Sequence, residues 1–526
     1  MQNLSTPAPT NAATNATADV ATNVVTNVAA SVALLDHARC YRALCAKDSR
    51  FDGDFFVGVS TTGIYCRPVC RVKTPRSSSC TFYPNASAAE AAGFRPCLRC
   101  RPELAPYALQ QNLAYAIWQR ISAGGLNFGA TMQDLADQVG LSTRQLQRLM
   151  QSHFGVAPID LAQTARLLFA KKLLQETQLP MTEVAYASGF GSVRRFNALF
   201  LSRYGMAPGT LRRTASTQPN VITLRLAYRA PFAWDTMLDY LAGRTIAGVE
   251  AIEGQHGERY YVRSVQLMHA QQRLDGWLKV SHLAKVQQLE IQVSSQFSPV
   301  LMQLLDKVRQ QFDLDANPGI IEEHLCSDAL LEKQIKRTPG LRVPGTFSHV
   351  ELAIRAVLGQ QISVAGATTL AARLVQQFGT PTSTPYAGIT HHFPDPAVLA
   401  RISVERMAEI GLPKARAATI IAIAQFAADG GLTLAPGVGL DQAVAHLKTV
   451  RGIGEWTAQY IALRALRFSD AFPAGDLGLQ KAAAADVQSG ESRISERQLL
   501  DRVKHLSPWR GYAALLLWQS LSNASP

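Results

Sequence analysis

The chain has 526 residues, room for about three or four domains of ordinary size, and its 47% hydrophobic content is usual for a globular protein. A net charge of +13, with a pI near 9.5, points to a polyanionic partner. Seven of the eight cysteines fall before residue 101, partly as close pairs, which argues against a secreted disulfide scaffold, and no apolar run reaches the ~18 residues of a membrane span.

The first 33 residues are rich in Ala, Thr and Asn and carry no Lys or Arg. They lack the marks of a secretory or mitochondrial leader, so residues 1–36 read as a disordered tail or as sequence upstream of the true start. Basic charge concentrates in the first half. Seven Arg or Lys face two Glu between Ser60 and Ala105, and ten face three acids between Ser142 and Arg213.

Two cysteine knuckles follow the tail, Cys66-x3-Cys70 and Cys97-x2-Cys100. Four thiolates on two short loops suit tetrahedral Zn²⁺, and spacing alone is satisfied by a purely structural zinc in a small domain. Cys80 has no partner at knuckle spacing, and Cys40, Cys45 and Cys326 read as buried or surface thiols. The surrounding STTGIYCRPVCRVK and TFYPNASAAEAAGFRPCLRC, within residues 37–105, closely resemble the N-terminal domain of the adaptive-response regulator Ada. That resemblance implies one zinc held by Cys66, Cys70, Cys97 and Cys100. It also implies that Cys66 accepts a methyl group from a DNA methyl phosphotriester, with Arg67, Arg71 and Arg95 facing DNA.

Residues 107–213 carry helical periodicity. Met132, Leu135, Ala136 and Val139 precede Gly140, and Ser142 with Gln145 forms a capping-box pattern opening a second helix. The unit recurs: VGLS at Val139–Ser142 matches SGFG at Ser188–Gly191, and FGVAP at Phe154 matches YGMAP at Tyr204. Amphipathic helix pairs also occur as plain bundles. The duplication, joined by a helix expected to be amphipathic (LAQTARLLFAKKLLQE), resembles the AraC-type tandem helix-turn-helix domain. The DNA-facing side chains it implies are Arg144, Gln145 and Arg148 in the first unit, and Ser192, Arg194, Arg195 and Asn197 in the second.

A linker at 214–219 leads to strand-like runs, VITLRLAY, RYYVRSVQL and LEIQV, in a β-rich segment at 220–300, and helical patterns occupy 301–526. Gly452-Ile453-Gly454 sits between two helical stretches, where a bare backbone can approach a phosphate, although a lone Gly-x-Gly is common in loops. Asp476 in FPAGDLGLQKA reads by itself as a helix cap or a solvated carboxylate, and Trp456 and Trp518 read by themselves as core. Residues 220–524 together resemble the AlkA-type helix-hairpin-helix glycosylases, through VPGTFSHVELAIRAVLGQQIS, the hairpin, the Asp476 stretch and SPWRGYAALLLW. That resemblance implies a catalytic carboxylate at Asp476, a base pocket with Trp456 and Trp518, and DNA contacts at Gly452, Gly454 and Gln361, the last where the family's best-known member has a leucine wedge. Lyase-active members of the wider superfamily carry Lys where Trp456 stands, so hydrolysis without strand cutting is expected. No Pro-Cys-His-Arg tetrapeptide of an alkylguanine methyltransferase is present.

The expectation is a multidomain α+β protein: a small zinc-bound Ada-type domain, an all-α tandem helix-turn-helix domain, an α+β subdomain and an all-α helix-hairpin-helix glycosylase domain. It would be a monomeric bacterial cytoplasmic protein, associated with the nucleoid and with no membrane attachment. Its partners would be alkylated DNA, promoter DNA and RNA polymerase. Two alternatives stay open, a regulator with a silent glycosylase fold and a glycosylase merely tethered by its front half.

Overall fold

The computed structural model describes residues 36–105, 113–212, 220–255, 257–435, 437–484 and 493–522. The expected linker at 214–219 and all but the last residue of the expected tail lie outside these. Asp36, that last residue, caps the helix His37–Ala46 by accepting from the Ala38 amide.

The zinc module is a four-stranded sheet of β1 (Phe56–Val59), β2 (Ile64–Cys66), β3 (Cys80–Tyr83) and β4 (Arg95–Pro96), ordered β3-β1-β2-β4. β4 runs parallel to β2, pairing Ile64 with Arg95 and Tyr65 with Pro96. Both knuckles therefore leave the sheet at the same end, which brings Cys66 and Cys97 side by side although the chain between them is long.

Two helix pairs follow, Met132–Gln138 with Thr143–Phe154 and Met181–Ala187 with Val193–Tyr204. Ser142 and Gln145 form the expected capping box, and Thr131 with Asp134 forms another at the start of the first pair. Gly140 and Gly189, the matching glycines of the duplicated turn, both have positive φ, +66° and +82°. A Cβ at Gly189 would also meet the Asn127 side chain at 2.2 Å. Contrary to the amphipathic expectation, the connecting helix Pro158–Glu176 is enclosed on several sides. Lys171 and Lys172 are both buried, because the zinc module covers one flank and the second half of the chain the other. Lys171 Nζ donates to Glu103 at 2.7 Å, and Lys172 Nζ donates to the Arg225 carbonyl.

The second half begins with five antiparallel strands in the order β5-β9-β8-β7-β6: β5 Val221–Ala227, β6 Glu250–Glu253, β7 Tyr260–His269, β8 Gln272–Leu283 and β9 Gln288–Ser294. The tight β7–β8 turn places Ala270 and Gln271 both at positive φ, the backbone a two-residue hairpin needs. A helix, Trp234–Ala242, buries Trp234, Met237, Leu238 and Leu241 against the sheet. The division expected at residue 300 does not coincide with the packing. Helix Leu301–Gln311 adds Leu301, Leu304, Leu305 and Val308 to the sheet's own cluster, and Phe347 joins them.

That cluster also crosses the expected linker. Leu173 of the connecting helix, Val184, Phe196 and Phe200 of the second helix pair, and Leu224, Leu226 and Ile291 of the sheet belong to one continuous buried body. The remaining helices, from Pro318–Leu325 to Arg510–Ser522, pack around a separate core. No helix among the described residues is long and apolar enough to cross a membrane.

Candidate functional site

The four knuckle sulfurs lie within 4.8 Å of one another, and all four cysteines are free. Tetrahedral zinc with Zn–S bonds of 2.3 Å sets its sulfurs about 3.8 Å apart, so this donor set is close in chemistry and in spacing to what one Zn²⁺ requires. The Arg67 amide points at Cys100 Sγ (3.4 Å) and the Cys100 amide at Cys97 Sγ (3.5 Å), the backbone support that thiolate ligands require. Cys66, Cys70 and Cys97 are buried, whereas Cys100 is half-buried.

Arg67 departs from its expected role. Its side chain is buried, ion-paired to Asp52 and donating Nη1 to the Cys100 carbonyl at 3.2 Å. A guanidinium committed in this way braces the metal loops and is not available to a phosphate. Arg71 and Arg95 are exposed, as are Arg144, Gln145, Arg148, Ser192, Arg194, Arg195 and Asn197 on the two second helices of the pairs. The residues facing inward from those helices are Leu146 and Met150, then Phe196 and Phe200. Each helix therefore keeps a polar face outward, as a groove-reading helix must.

In the second half, a cleft of about 1470 Å³ opens between the Trp234–Ala242 helix and the helical body. Asp476 lies in it, just ahead of helix Leu477–Ala484, and its Oδ1 accepts from the Leu479 amide at 3.0 Å. It is thus the helix cap that the sequence allowed, and more. Trp456 Nε1 donates to Oδ2 at 3.0 Å and Trp518 Nε1 to Oδ1 at 3.0 Å. Both indoles are half-buried cleft walls, not core, and each fixes one oxygen of the same carboxylate.

Beside the cleft is the hairpin. Gly452 has φ +92°, and a Cβ there would lie 2.1 Å from Thr419 Oγ1, so only glycine fits. Gly454 precedes helix Glu455–Arg464 as its N-cap, with nothing within 4 Å of an added Cβ, leaving open space at the helix N-terminus. Gln361 is exposed at φ +58°, an unusual backbone for a residue with a side chain. Its neighbour Gln360 holds that loop to the hairpin, donating Nε2 to the Gly452 carbonyl (3.1 Å) and to Thr457 Oγ1 (3.0 Å).

Sequence reasoning missed two cleft residues. Tyr460 stacks on Trp456 with parallel rings, 5.4 Å between centroids at 10°, and Tyr240 reaches it from the sheet subdomain, hydroxyl to hydroxyl at 3.4 Å. The spacing of Trp456 and Tyr460, one helical turn, was a usable signal. Nothing local marks Tyr240.

A helix-hairpin-helix body with a carboxylate under an aromatic cleft, fused to a four-cysteine metal module and two helix-turn-helix units, defines a DNA repair glycosylase joined to a DNA-binding regulator. Family models agree in chain order: the metal binding domain of Ada at residues 39–103, a helix-turn-helix domain at 135–214, the AlkA N-terminal domain at 223–348, and the HhH-GPD superfamily of base excision DNA repair proteins at 354–505. A "probable bifunctional transcriptional activator/DNA repair enzyme AlkA" of Mycobacterium tuberculosis is 36% identical over 498 residues, 93% of this chain and 97% of that protein. The chain belongs to this family of bifunctional activator and repair proteins. The "DNA-3-methyladenine glycosylase 2" of Escherichia coli is 31% identical over 56% of this chain and 95% of its own length. The "bifunctional transcriptional activator/DNA repair enzyme Ada" of the same organism is 41% identical over 22% of this chain and 33% of its own length.

Proposed function

We propose that the protein senses alkylation damage, activates transcription and excises alkylated purines, with the three activities in separate sites on one chain. The observation that carries the excision reading is Asp476, set in the cleft with one indole N–H on each oxygen. An N-alkylated purine is cationic and leaves without strong acid assistance. As the glycosidic bond breaks, the sugar becomes positive, and the Asp476 carboxylate stabilises that charge and orients the incoming water. The damaged base must first leave the stack. Gln361, on its left-handed backbone, would fill the gap, while the Gly452–Gly454 hairpin would hold the neighbouring phosphate. Trp456 occupies the position where an amine would be needed for strand cleavage, so the product is an abasic site in an intact strand.

At the front of the chain, Cys66, Cys70, Cys97 and Cys100 would hold zinc, which would keep their thiols deprotonated at neutral pH. Cys66 Sγ attacks the methyl carbon of a phosphotriester; an S–C bond forms, the C–O bond breaks, and an ordinary phosphodiester leaves. The cluster loses one negative charge, which lowers repulsion from DNA and raises affinity for a promoter. The activator would then recruit RNA polymerase, acting as a monomer in the cytoplasm.

The test is release of 3-methyladenine from methylated duplex DNA by purified protein, in parallel with strand nicking. Free base with intact strands supports the reading. Absence of release from folded, DNA-bound protein would leave a regulator alone.

A further inference from the structure

The loop that carries Gln361 is short. Helix His349–Leu358 ends at Gly359, and Ser363 already caps helix Val364–Phe378, its hydroxyl accepting from the Gly366 amide at 3.1 Å. Residues 360 to 362 make the turn between them, with Gln361 and Ile362 exposed at its tip. Gln360, by contrast, is tied down through its backbone and its side chain. Its amide donates to the Val357 carbonyl at 3.2 Å, and its carbonyl accepts from Arg416 Nη2 at 2.7 Å. Its Nε2 spans to the hairpin, where it meets the Gly452 carbonyl and Thr457 Oγ1.

The groups that hold Gln360 are themselves fixed. Thr457 is buried and directly follows Trp456, which holds Asp476. Arg416 comes from helix Lys414–Ala428, and Thr419 of the same helix is the side chain that Gly452 lies against. One residue therefore joins three parts of the cleft rim: the loop tip, the hairpin and the helix beneath both. A residue with a side chain keeps a left-handed backbone such as that of Gln361 only where its surroundings dictate it. Gln360 supplies that constraint from the position before.

We propose that Gln360 is a positioning residue for base extrusion. By latching the 360–362 turn to the hairpin, it sets the depth and angle at which Gln361 enters the stack once a phosphate is seated at Gly452–Gly454. A duplex fixes the offset between a held phosphate and the neighbouring stack, so a plug that enters at the wrong offset loses much of its effect. The donors to Asp476 are Trp456, Trp518 and the Leu479 amide, so Gln360 acts on extrusion and not on bond cleavage. This rests on the glycosylase reading above and deepens it by one step of the reaction.

The test is single-turnover release of 7-methylguanine by the full-length protein from two duplexes. In one the lesion is paired with cytosine; in the other it faces a tetrahydrofuran abasic analogue, where no pair has to be broken. Gln360→Met keeps the length of the side chain and removes its donor. Two lost hydrogen bonds of ordinary strength predict a rate about tenfold lower on the paired lesion, and less than about threefold lower opposite the abasic analogue. The fluorescence of a 2-aminopurine placed beside the lesion should rise more slowly by the same factor as the paired rate. Thr457→Val keeps the shape of its side chain and removes one of the two acceptors. It should give a smaller loss of the same kind, and it carries the test if Gln360→Met does not fold. Equal losses on both duplexes would make Gln360 a general support of the fold, and no loss on either would remove it from the reaction; each result overturns the proposal. Asp476→Asn is run alongside. If it abolishes release from both duplexes while Gln360→Met changes neither, the glycosylase reading stands and this proposal falls. Release from neither duplex by the wild type overturns both.

Discussion

Asp476→Asn removes one charge and rearranges three hydrogen bonds, and the two effects are separable. A carboxylate about 4 Å from a developing sugar cation, at an effective dielectric of about 20, stabilises it by roughly 4 kcal/mol. That corresponds to about a thousandfold in the rate of base release. The substitution is not silent in the ground state either. Oδ1 receives two donors, Trp518 Nε1 and the Leu479 amide, and Oδ2 receives Trp456 Nε1. Asparagine has one acceptor oxygen, which goes to the doubly served position, leaving an amide N–H₂ facing the Trp456 N–H. That orphaned pair costs about 1–3 kcal/mol of stability, too little to unfold a domain of ordinary stability, about 5–15 kcal/mol. Single-turnover release from methylated duplex, beside a denaturant titration of the same preparations, resolves the two contributions. A loss of less than about tenfold in rate, with the protein folded, would mean that no positive charge develops over Asp476.

Trp456→Phe keeps an aromatic wall but deletes one N–H, a bond to a charged acceptor of about 1.5–3 kcal/mol. The expected outcome is a kcat about ten- to a hundredfold lower with a smaller change in KM, and no further loss when it is combined with Asp476→Asn. Chelating the zinc should unfold the 37–105 module while base release persists, readable as partial loss of structure with retained activity. After incubation with methylated DNA, peptide mapping should find the methyl group on Cys66, although Cys100 is the more exposed thiol; label on Cys100 would reassign the acceptor. Glu103→Gln leaves Lys171 buried without its anion and should destabilise by about 3–5 kcal/mol in denaturant titrations. Burial raises the Glu103 carboxyl, but Lys171 and Arg101 outweigh it and hold it below the ordinary value. Its contribution is therefore present above the unfolded carboxyl range, near pH 4.3, and is lost as pH falls below it. Acid should loosen the contact between the zinc module and the Pro158–Glu176 helix, an effect absent from the Gln variant.

What the sequence revealed followed from features that are local. Knuckle spacing, the Ser142–Gln145 box and the repeated glycines each constrain their own neighbourhood, and the structure realises them there. β8 went unread because Asp275, Gly276 and Lys279 interrupt its apolar alternation, and only pairing with β7 and β9 makes it a strand. The burial of Lys171, Lys172 and Arg67 was not legible in the sequence for one reason. A cation in a sequence reads as solvated, and the anions or carbonyls that allow its burial are remote: Glu103 for Lys171, the Arg225 carbonyl for Lys172, Asp52 for Arg67. Tyr240 escaped notice because a different subdomain brings it to the cleft.

The buried cluster that runs from the second helix pair into the five-stranded sheet bears on how the two DNA-binding halves share one DNA molecule. Two modules on a flexible tether each raise the effective concentration of the other near any site within reach. Here the second helix-turn-helix unit and the sheet subdomain move together, so that reach is removed and replaced by a fixed angle and distance. A molecule seated on a promoter can then present its cleft to the same duplex only along the path this geometry allows, with the DNA bending wherever the two do not line up. The stiffness of the duplex, more than that of the polypeptide, then sets whether regulation and repair act on one stretch of DNA or on two.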